Sequence, residues 1–248
     1  MELKSFFEQN PSGALAFSGG TDSSLLVWAA AKYGRDWHAY YVHSAFQPAF
    51  ELEDARKIAS QCQLPLTIIE ADILQYPEVA ANPPDRCYHC KRQVFSAILR
   101  QAAADGYSLV IDGTNASDDA GDRPGMKALR ELEVRSPLRE CGLTKDVIRE
   151  LSRQAGLFTW DKPAYACLAT RIPTGTAITE DLLSRTEWAE DYLLSLGFTD
   201  FRVRTLGNDA KLQLKAQDFP LLLERREEIT GELKKRYASV LLDLEERK

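Results

Sequence analysis

Between an apolar run at 13–17 and a strong helix former at 24–32, the chain places Ser18-Gly19-Gly20-Thr21-Asp22-Ser23-Ser24. A short buried strand that turns through two glycines directly into a helix is the opening unit of an α/β domain. Glycine there lets the backbone approach a polyanion closely, and the free N–H groups and positive dipole end of the helix favour phosphate. Ser18, Thr21, Ser23 and Ser24 add hydroxyl donors, and Asp22 is a candidate Mg²⁺ ligand or helix cap. The loop lacks the longer glycine spacing and the terminal lysine of a Walker A loop. It reads as a phosphate cradle of another kind, with ATP the expected ligand.

Strand and helix then alternate, with strands at 15–17, 38–42, 66–69 and 108–111 and helices at 22–33, 51–61 and 91–105. Alternation at these lengths predicts a doubly wound parallel sheet that binds ligands at the carboxyl ends of its strands. Ser18, residues 70–72 and residues 112–115 all fall there. A helix at 144–155, capped by Thr144 and stopped by Gly156, leads to a loop at 158–179. A long helix opening at Thr179-Glu180 follows, then strands at 201–204 and 211–215, and a charged amphipathic helix pair from Phe219 onward. The expected boundary lies near 176, giving a sheet domain over 1–175 and a smaller α/β domain over 176–248.

A net charge of −6 on 248 residues repels a long phosphate backbone and argues against a nucleic-acid partner. No basic, apolar leader and no apolar run of membrane-spanning length is visible, so a cytoplasmic protein is expected. Five cysteines, an odd number in such a chain, argue against a disulfide framework. Cys62 and Cys141 read as structural or incidental. Cys87 and Cys90 form a CxxC just ahead of a helix expected at Lys91, whose N-terminus would lower their thiol pKa. Two thiols so spaced reach one metal or cluster, or act as a redox pair. With Cys167 they would make a three-thiolate site that leaves a position open, as suits an iron–sulfur cluster taking exogenous sulfide; zinc with His89 as fourth ligand is the alternative.

Asp112-Gly113-Thr114-Asn115 forms a tight turn past the fourth strand that can meet adenine or ribose. Asp118 and Asp119 could hold Mg²⁺ through water or simply be solvated. Arg202 and Arg204 alternate along a strand and so project to one face, a way to grip a phosphate or merely a charged edge. Lys91 and Arg171 are candidate partners for a carboxylate or phosphate, or else members of surface ion pairs.

The SGGxDS pattern resembles the PP-loop of the ATP pyrophosphatase superfamily. With Asp-Gly-Thr-Asn at 112–115, Arg-Ser-Pro-Leu-Arg at 135–139, Leu-Thr-Lys-Asp-Val-Ile at 143–148 and Asp-Lys-Pro-Ala-Tyr-Ala-Cys-Leu-Ala-Thr-Arg-Ile-Pro-Thr-Gly at 161–175, the chain resembles the LarE family from Ser18 to about Arg204. The resemblance implies an ATP-dependent sulfur transferase acting in nickel-pincer nucleotide cofactor synthesis. ATP, with Mg²⁺, would adenylate a carboxylate of pyridinium-3,5-biscarboxylic acid mononucleotide, and sulfur would replace AMP to give a thiocarboxylate. It implies that Cys167 is either a sacrificial sulfur donor or, with Cys87 and Cys90, a ligand of a 4Fe-4S cluster reloaded by sulfide or another sulfur donor. It further implies substrate contacts from Glu190, Arg202 and Arg204, a substrate-binding or oligomerising domain at 176–248, and a homo-oligomer such as a hexamer. An amide-forming ligase, a tRNA thiolase and a non-catalytic nucleotide and metal sensor are the competing readings.

Overall fold

The computed structural model describes residues 2–118 and 124–247. Its elements in chain order are α1 (Leu3–Gln9), β1 (Ser12–Ala16), α2 (Thr21–Tyr33), β2 (Asp36–His43), α3 (Ala49–Cys62), β3 (Leu66–Glu70), α4 (Pro77–Ala80) and α5 (Arg86–Ala104). They continue as β4 (Val110–Ile111), α6 (Pro124–Glu131), α7 (Pro137–Glu140), α8 (Lys145–Gln154), α9 (Glu180–Ser195), β5 (Arg202–Leu206), β6 (Asp209–Gln213), α10 (Phe219–Glu224), α11 (Arg226–Leu233) and β7 (Ser239–Leu242). The chain divides into two compact units, Met1–Ile73 with Asp85–Tyr165 and Leu74–Pro84 with Ala166–Lys248.

The first unit is an α/β fold on a parallel sheet of order β3-β2-β1-β4. Side chains alternate across a strand, so neighbouring residues serve opposite faces. Leu15, Tyr41 and Ile111 pack with Phe6, Leu25, Ile58 and Ile148 from α1, α2, α3 and α8. Their neighbours Ala14, Tyr40 and Val110 pack instead with Phe95, Ile98 and Leu129 from α5 and α6. Both faces are therefore covered and the sheet is doubly wound, which is why its strands read as apolar runs rather than alternating ones. From β1 the chain steps to β2 and β3 on one side, while β4 lies on the other. The switch point thus falls between β1 and β4, where a crevice opens at the strand ends.

The second unit holds a smaller sheet of order β5-β6-β7, antiparallel between β5 and β6 and parallel between β6 and β7. Its core joins Ala189 and Leu193 of α9 to Val203, Leu212, Leu222, Ile229 and Leu233. The helix pair from Phe219 is present, but it ends at Leu233, and 239–242 form a strand that the sequence pattern does not single out. The three apolar residues Val240-Leu241-Leu242 carry no period of their own, and β7 exists through its pairing with β6, Ala210 opposite Val240. Among the described residues no helix is long and apolar enough to cross a membrane.

Candidate functional site

The loop at 17–20 joins β1 to α2 at the switch point. Gly19 has φ +74°, and a Cβ on it would lie 2.7 Å from the Glu51 carbonyl oxygen, so conformation and space both require glycine. Gly20 occupies the N-cap of α2 with no side-chain cap, which leaves the first-turn amides of the helix directed out of its end. The Ser23 hydroxyl holds the loop together: it accepts from the Ser18 amide at 3.3 Å, lies 3.0 Å from Ser18 Oγ and donates to the Gly20 carbonyl at 3.2 Å. Thr21 Oγ1 donates to the Thr159 carbonyl at 2.8 Å, while the buried Ser24 hydroxyl has no protein partner.

The segment after β4 closes on this loop. A Cβ on Gly113 would come within 3.0 Å of the Ser23 amide nitrogen, so glycine there permits the close approach. Asp112 is buried and accepts from Thr114 Oγ1 at 2.5 Å and Ser136 Oγ at 2.6 Å, which makes it a brace for the turn. Asn115 Oδ1 accepts from the amides of Ser117 and Asp118, and its own amide donates to Asp118 Oδ2. Its Nδ2 reaches Asp22 at 3.4 Å. Asp22 also receives Lys145 Nζ, 2.8 Å from each carboxylate oxygen. Lys145 opens α8, 123 residues from Asp22, and spacing along the sequence gives it no role, although it lies within the Leu-Thr-Lys-Asp-Val-Ile motif at 143–148. Asp119 lies outside the described residues.

A cleft of about 310 Å³ is lined by Ser18, Gly20, Asp22, Ser23, Asp112, Gly113, Thr114 and Asp118, with Lys91 and Phe95 opposite. A second hollow of about 310 Å³ shares Lys91, Thr114 and Asp118 with it and continues to Cys87, Gly125 and Met126. The two hollows adjoin at these shared residues, the first lined by the glycine loop and the second by the first cysteine of the CxxC. Lys91 lines both, its stem held where a Cβ on Gly125 would come within 3.0 Å of Lys91 Cδ.

The helix expected at Lys91 begins at Arg86 instead. Pro83-Pro84 excludes helix before Asp85, and Asp85 takes the N-cap position, so Cys87 and Cys90 lie inside the first turns, three residues apart on one face. Cys87 is exposed and Cys90 half-buried, and Arg86 Nη2 donates to Cys87 Sγ at 3.7 Å. His89 pairs with Asp85 at 3.2 Å. None of the five cysteines is disulfide-bonded. Burial pushes up the thiol pKa values of Cys62 and Cys141, in keeping with their packing against the first core. Among the described residues no three His, Cys, Asp or Glu side chains are gathered as a metal site.

Cys167, Arg171, Glu190, Arg202 and Arg204 belong to the second unit. Arg171 is fully buried rather than part of a surface pair. It meets Glu190 through two parallel bonds of 2.9 and 3.0 Å, and its Nη1 donates to the carbonyls of Ala166 and Cys167. Glu190 Oε1 also accepts from the Val203 amide at 2.9 Å, so the pair ties the backbone beside Cys167 to α9 and β5. Arg204 donates to Gln213 Oε1 and to the Thr170 carbonyl. Burial and then the neighbouring Arg171 hold its guanidinium below the ordinary arginine value. Arg202 is buried and donates to the Phe201 carbonyl. Sequence spacing does not reveal Asn82, a buried residue with φ +54° whose Nδ2 donates to the carbonyls of Pro173 and Thr176.

No protein-family model matches the chain. It is 38% identical over 213 residues to an uncharacterized protein of Synechocystis sp., covering 86% of this chain and 80% of that one. It is 34% identical over 202 residues to the pyridinium-3,5-bisthiocarboxylic acid mononucleotide synthase of Lactiplantibacillus plantarum, covering 81% of this chain and 73% of that one. The chain belongs to the LarE family. A tRNA-specific 2-thiouridylase of Clostridium botulinum is 25% identical over 181 residues, 60% of this chain and 51% of that one. Membership accounts for the PP-loop at the switch point of this LarE chain. Within the LarE framework the glycine loop and the 112–118 turn share one cleft, which reaches Lys91, and Cys87 lines the hollow next to it.

Proposed function

We propose that the chain converts the carboxylates of pyridinium-3,5-biscarboxylic acid mononucleotide to thiocarboxylates at the expense of ATP, in the synthesis of the nickel-pincer nucleotide. The observation that carries this reading is that the hollow at the glycine loop and the hollow at Cys87 adjoin, sharing Lys91, Thr114 and Asp118. A carboxylate is a poor electrophile and oxide a poor leaving group, so the carbon must first be activated. A substrate carboxylate oxygen attacks the α-phosphorus of ATP, forming an acyl-adenylate and expelling pyrophosphate. The first-turn amides of α2, with the hydroxyls of Ser18 and Ser23 on the cleft wall, take up the charge on the leaving group. Asp22 and Asp118 on the cleft wall supply hard oxygen donors of the kind Mg²⁺ takes. The turn at Gly113, Thr114 and Asn115 receives the adenosine. Lys91 neutralises the AMP phosphate or a substrate carboxylate, and Arg202 and Arg204 hold the substrate phosphate.

Sulfur then displaces AMP, and two such cycles give the dithio product. Three thiolates, from Cys87, Cys90 and Cys167, would hold a 4Fe-4S cluster, which when bound would supply the sulfide. Arg171 and Glu190 act here as positioning residues, fixing the backbone of Ala166 and Cys167. The reading includes the 176–248 region as the substrate-binding and homo-oligomerising part of a cytoplasmic enzyme.

The test is anaerobic incubation with ATP, Mg²⁺, sulfide and the pyridinium dicarboxylate nucleotide, following pyrophosphate and product mass. Pyrophosphate release that depends on the pyridinium nucleotide, with thiocarboxylate formed over many turnovers, is the expected result. In Cys87→Ala, pyrophosphate release should persist while multiple sulfur transfer stops, and the iron content, about four per chain in the wild type, should fall. Absence of nucleotide-dependent pyrophosphate release overturns the reading. Unimpaired multiple turnover in Cys87→Ala overturns the cluster.

A further inference from the structure

We propose that Lys145 is the cation this cleft applies to the triphosphate, stored on Asp22 until a nucleotide and its metal arrive; this rests on the ATP reading above. The PP-loop carries no lysine of its own, yet a polyanion must be met by more than amides and hydroxyls. Lys145 Nζ lies 2.8 Å from both oxygens of Asp22, a residue of the cleft wall, and the two side chains remain 32% and 23% exposed. A pair so open to water is worth little on its own and can be exchanged at small cost.

The geometry fixes the base of the lysine and leaves its end to move. The Lys145 amide donates to Ser117 Oγ at 3.0 Å, and the Ala116 amide donates to the Leu143 carbonyl at 2.8 Å, so the start of α8 is stitched to the turn that lines the cleft. Only the four-carbon stem has to swing. A carboxylate neutralised by ammonium is a poor Mg²⁺ ligand. Arrival of Mg²⁺ with a nucleotide offers a cation to Asp22 and phosphate oxygens to Lys145, so each ion exchanges one partner for another and neither is left bare. The alternative role, a strut between α2 and α8, is already filled by Leu25, Leu26 and Ile148 in the apolar core.

Lys145→Met keeps the stem and removes the charge. Equilibrium dialysis of a non-hydrolysable ATP analogue with Mg²⁺, run beside adenosine, should show analogue affinity weakened about 10- to 100-fold, the scale of one hydrogen bond to a charged group. Adenosine affinity should stay the same, and Lys145→Arg should recover much of the loss. In Asp22→Asn, analogue binding should lose most of its dependence on Mg²⁺. Wild-type analogue affinity in Lys145→Met, or equal losses for analogue and adenosine, would overturn the proposal while leaving the ATP reading intact. Failure of the wild type itself to bind the analogue would overturn the ATP reading, and with it the role given to Lys145.

Discussion

The two units use charge in opposite ways. Around the glycine loop the charged groups stay at the wall of a cleft: Asp22, Asp118 and Lys91 line it, and the groups beneath are glycines and hydroxyls braced by one another. Around Cys167 the charges are folded inward, with Arg171 and Glu190 nearly without solvent contact and spent on each other and on backbone. The first arrangement leaves electrostatic capacity for a ligand. The second converts it into a fixed position for one loop, because a buried guanidinium that satisfies a carboxylate and two carbonyls has a single geometry.

The largest effect should come from breaking the buried pair. Glu190→Ala leaves the Arg171 guanidinium buried without its counter-ion, and the cost should be about 3–5 kcal/mol. Replacing both residues by Met and Leu should be far milder, since well-packed apolar residues often match a buried ion pair. Urea unfolding of both variants beside the wild type decides it. A loss below about 1 kcal/mol in Glu190→Ala would place the pair with exposed ones and remove the contrast between the units.

Next in size is Gly19→Ala. The left-handed backbone costs a non-glycine residue about 1–2 kcal/mol, and the overlap with the Glu51 carbonyl adds overpacking strain of about 1–3 kcal/mol. Gly106→Ala is the control, with φ +91° and nothing within 4 Å of the added carbon. Thermal unfolding should show Gly19→Ala the more damaging, and only Gly19→Ala should weaken binding of an ATP analogue. Equal losses at both positions would mean that the loop does not need its approach to α3.

Asn82→Ala should cost somewhat less, about 2 kcal/mol, because the carbonyls of Pro173 and Thr176 lose a buried donor. It bears on what the sequence could reveal. The strand ends, the glycine loop and the 112–115 turn were legible because backbone chemistry is written locally: Gly19 and Gly113 each stand where a side chain would collide. Lys145 and Asn82 were not, since their partners lie 123 and about 90 residues away and only the fold brings them close. For the same reason spacing alone could mark Arg171 and Glu190 as charged loop and helix residues but could not tell that they meet each other. The helix expected at Lys91 starts five residues earlier, at Arg86, because Asp85 after Pro83-Pro84 takes the N-cap position and the CxxC has no geometry that requires a loop.

The smallest effect separates the units by pH. All three histidines, His38, His43 and His89, belong to the first unit, and between pH 7 and about 5.5 histidine is the side chain that ordinarily titrates. Burial lowers the His38 pKa below 6.5, against the opposing pull of Asp105 and Asp36, so the folded state prefers its neutral ring. Below pH 6.5 the unfolded chain then binds more protons than the folded one at this site, and stability falls as pH falls until the lowered folded value is passed. Urea unfolding across that window should show a shallow acid-side loss that His38→Gln flattens, with the Glu190→Ala penalty unchanged along it. An acid-side slope that survives in His38→Gln would assign the effect to other groups and leave the two units alike in this respect.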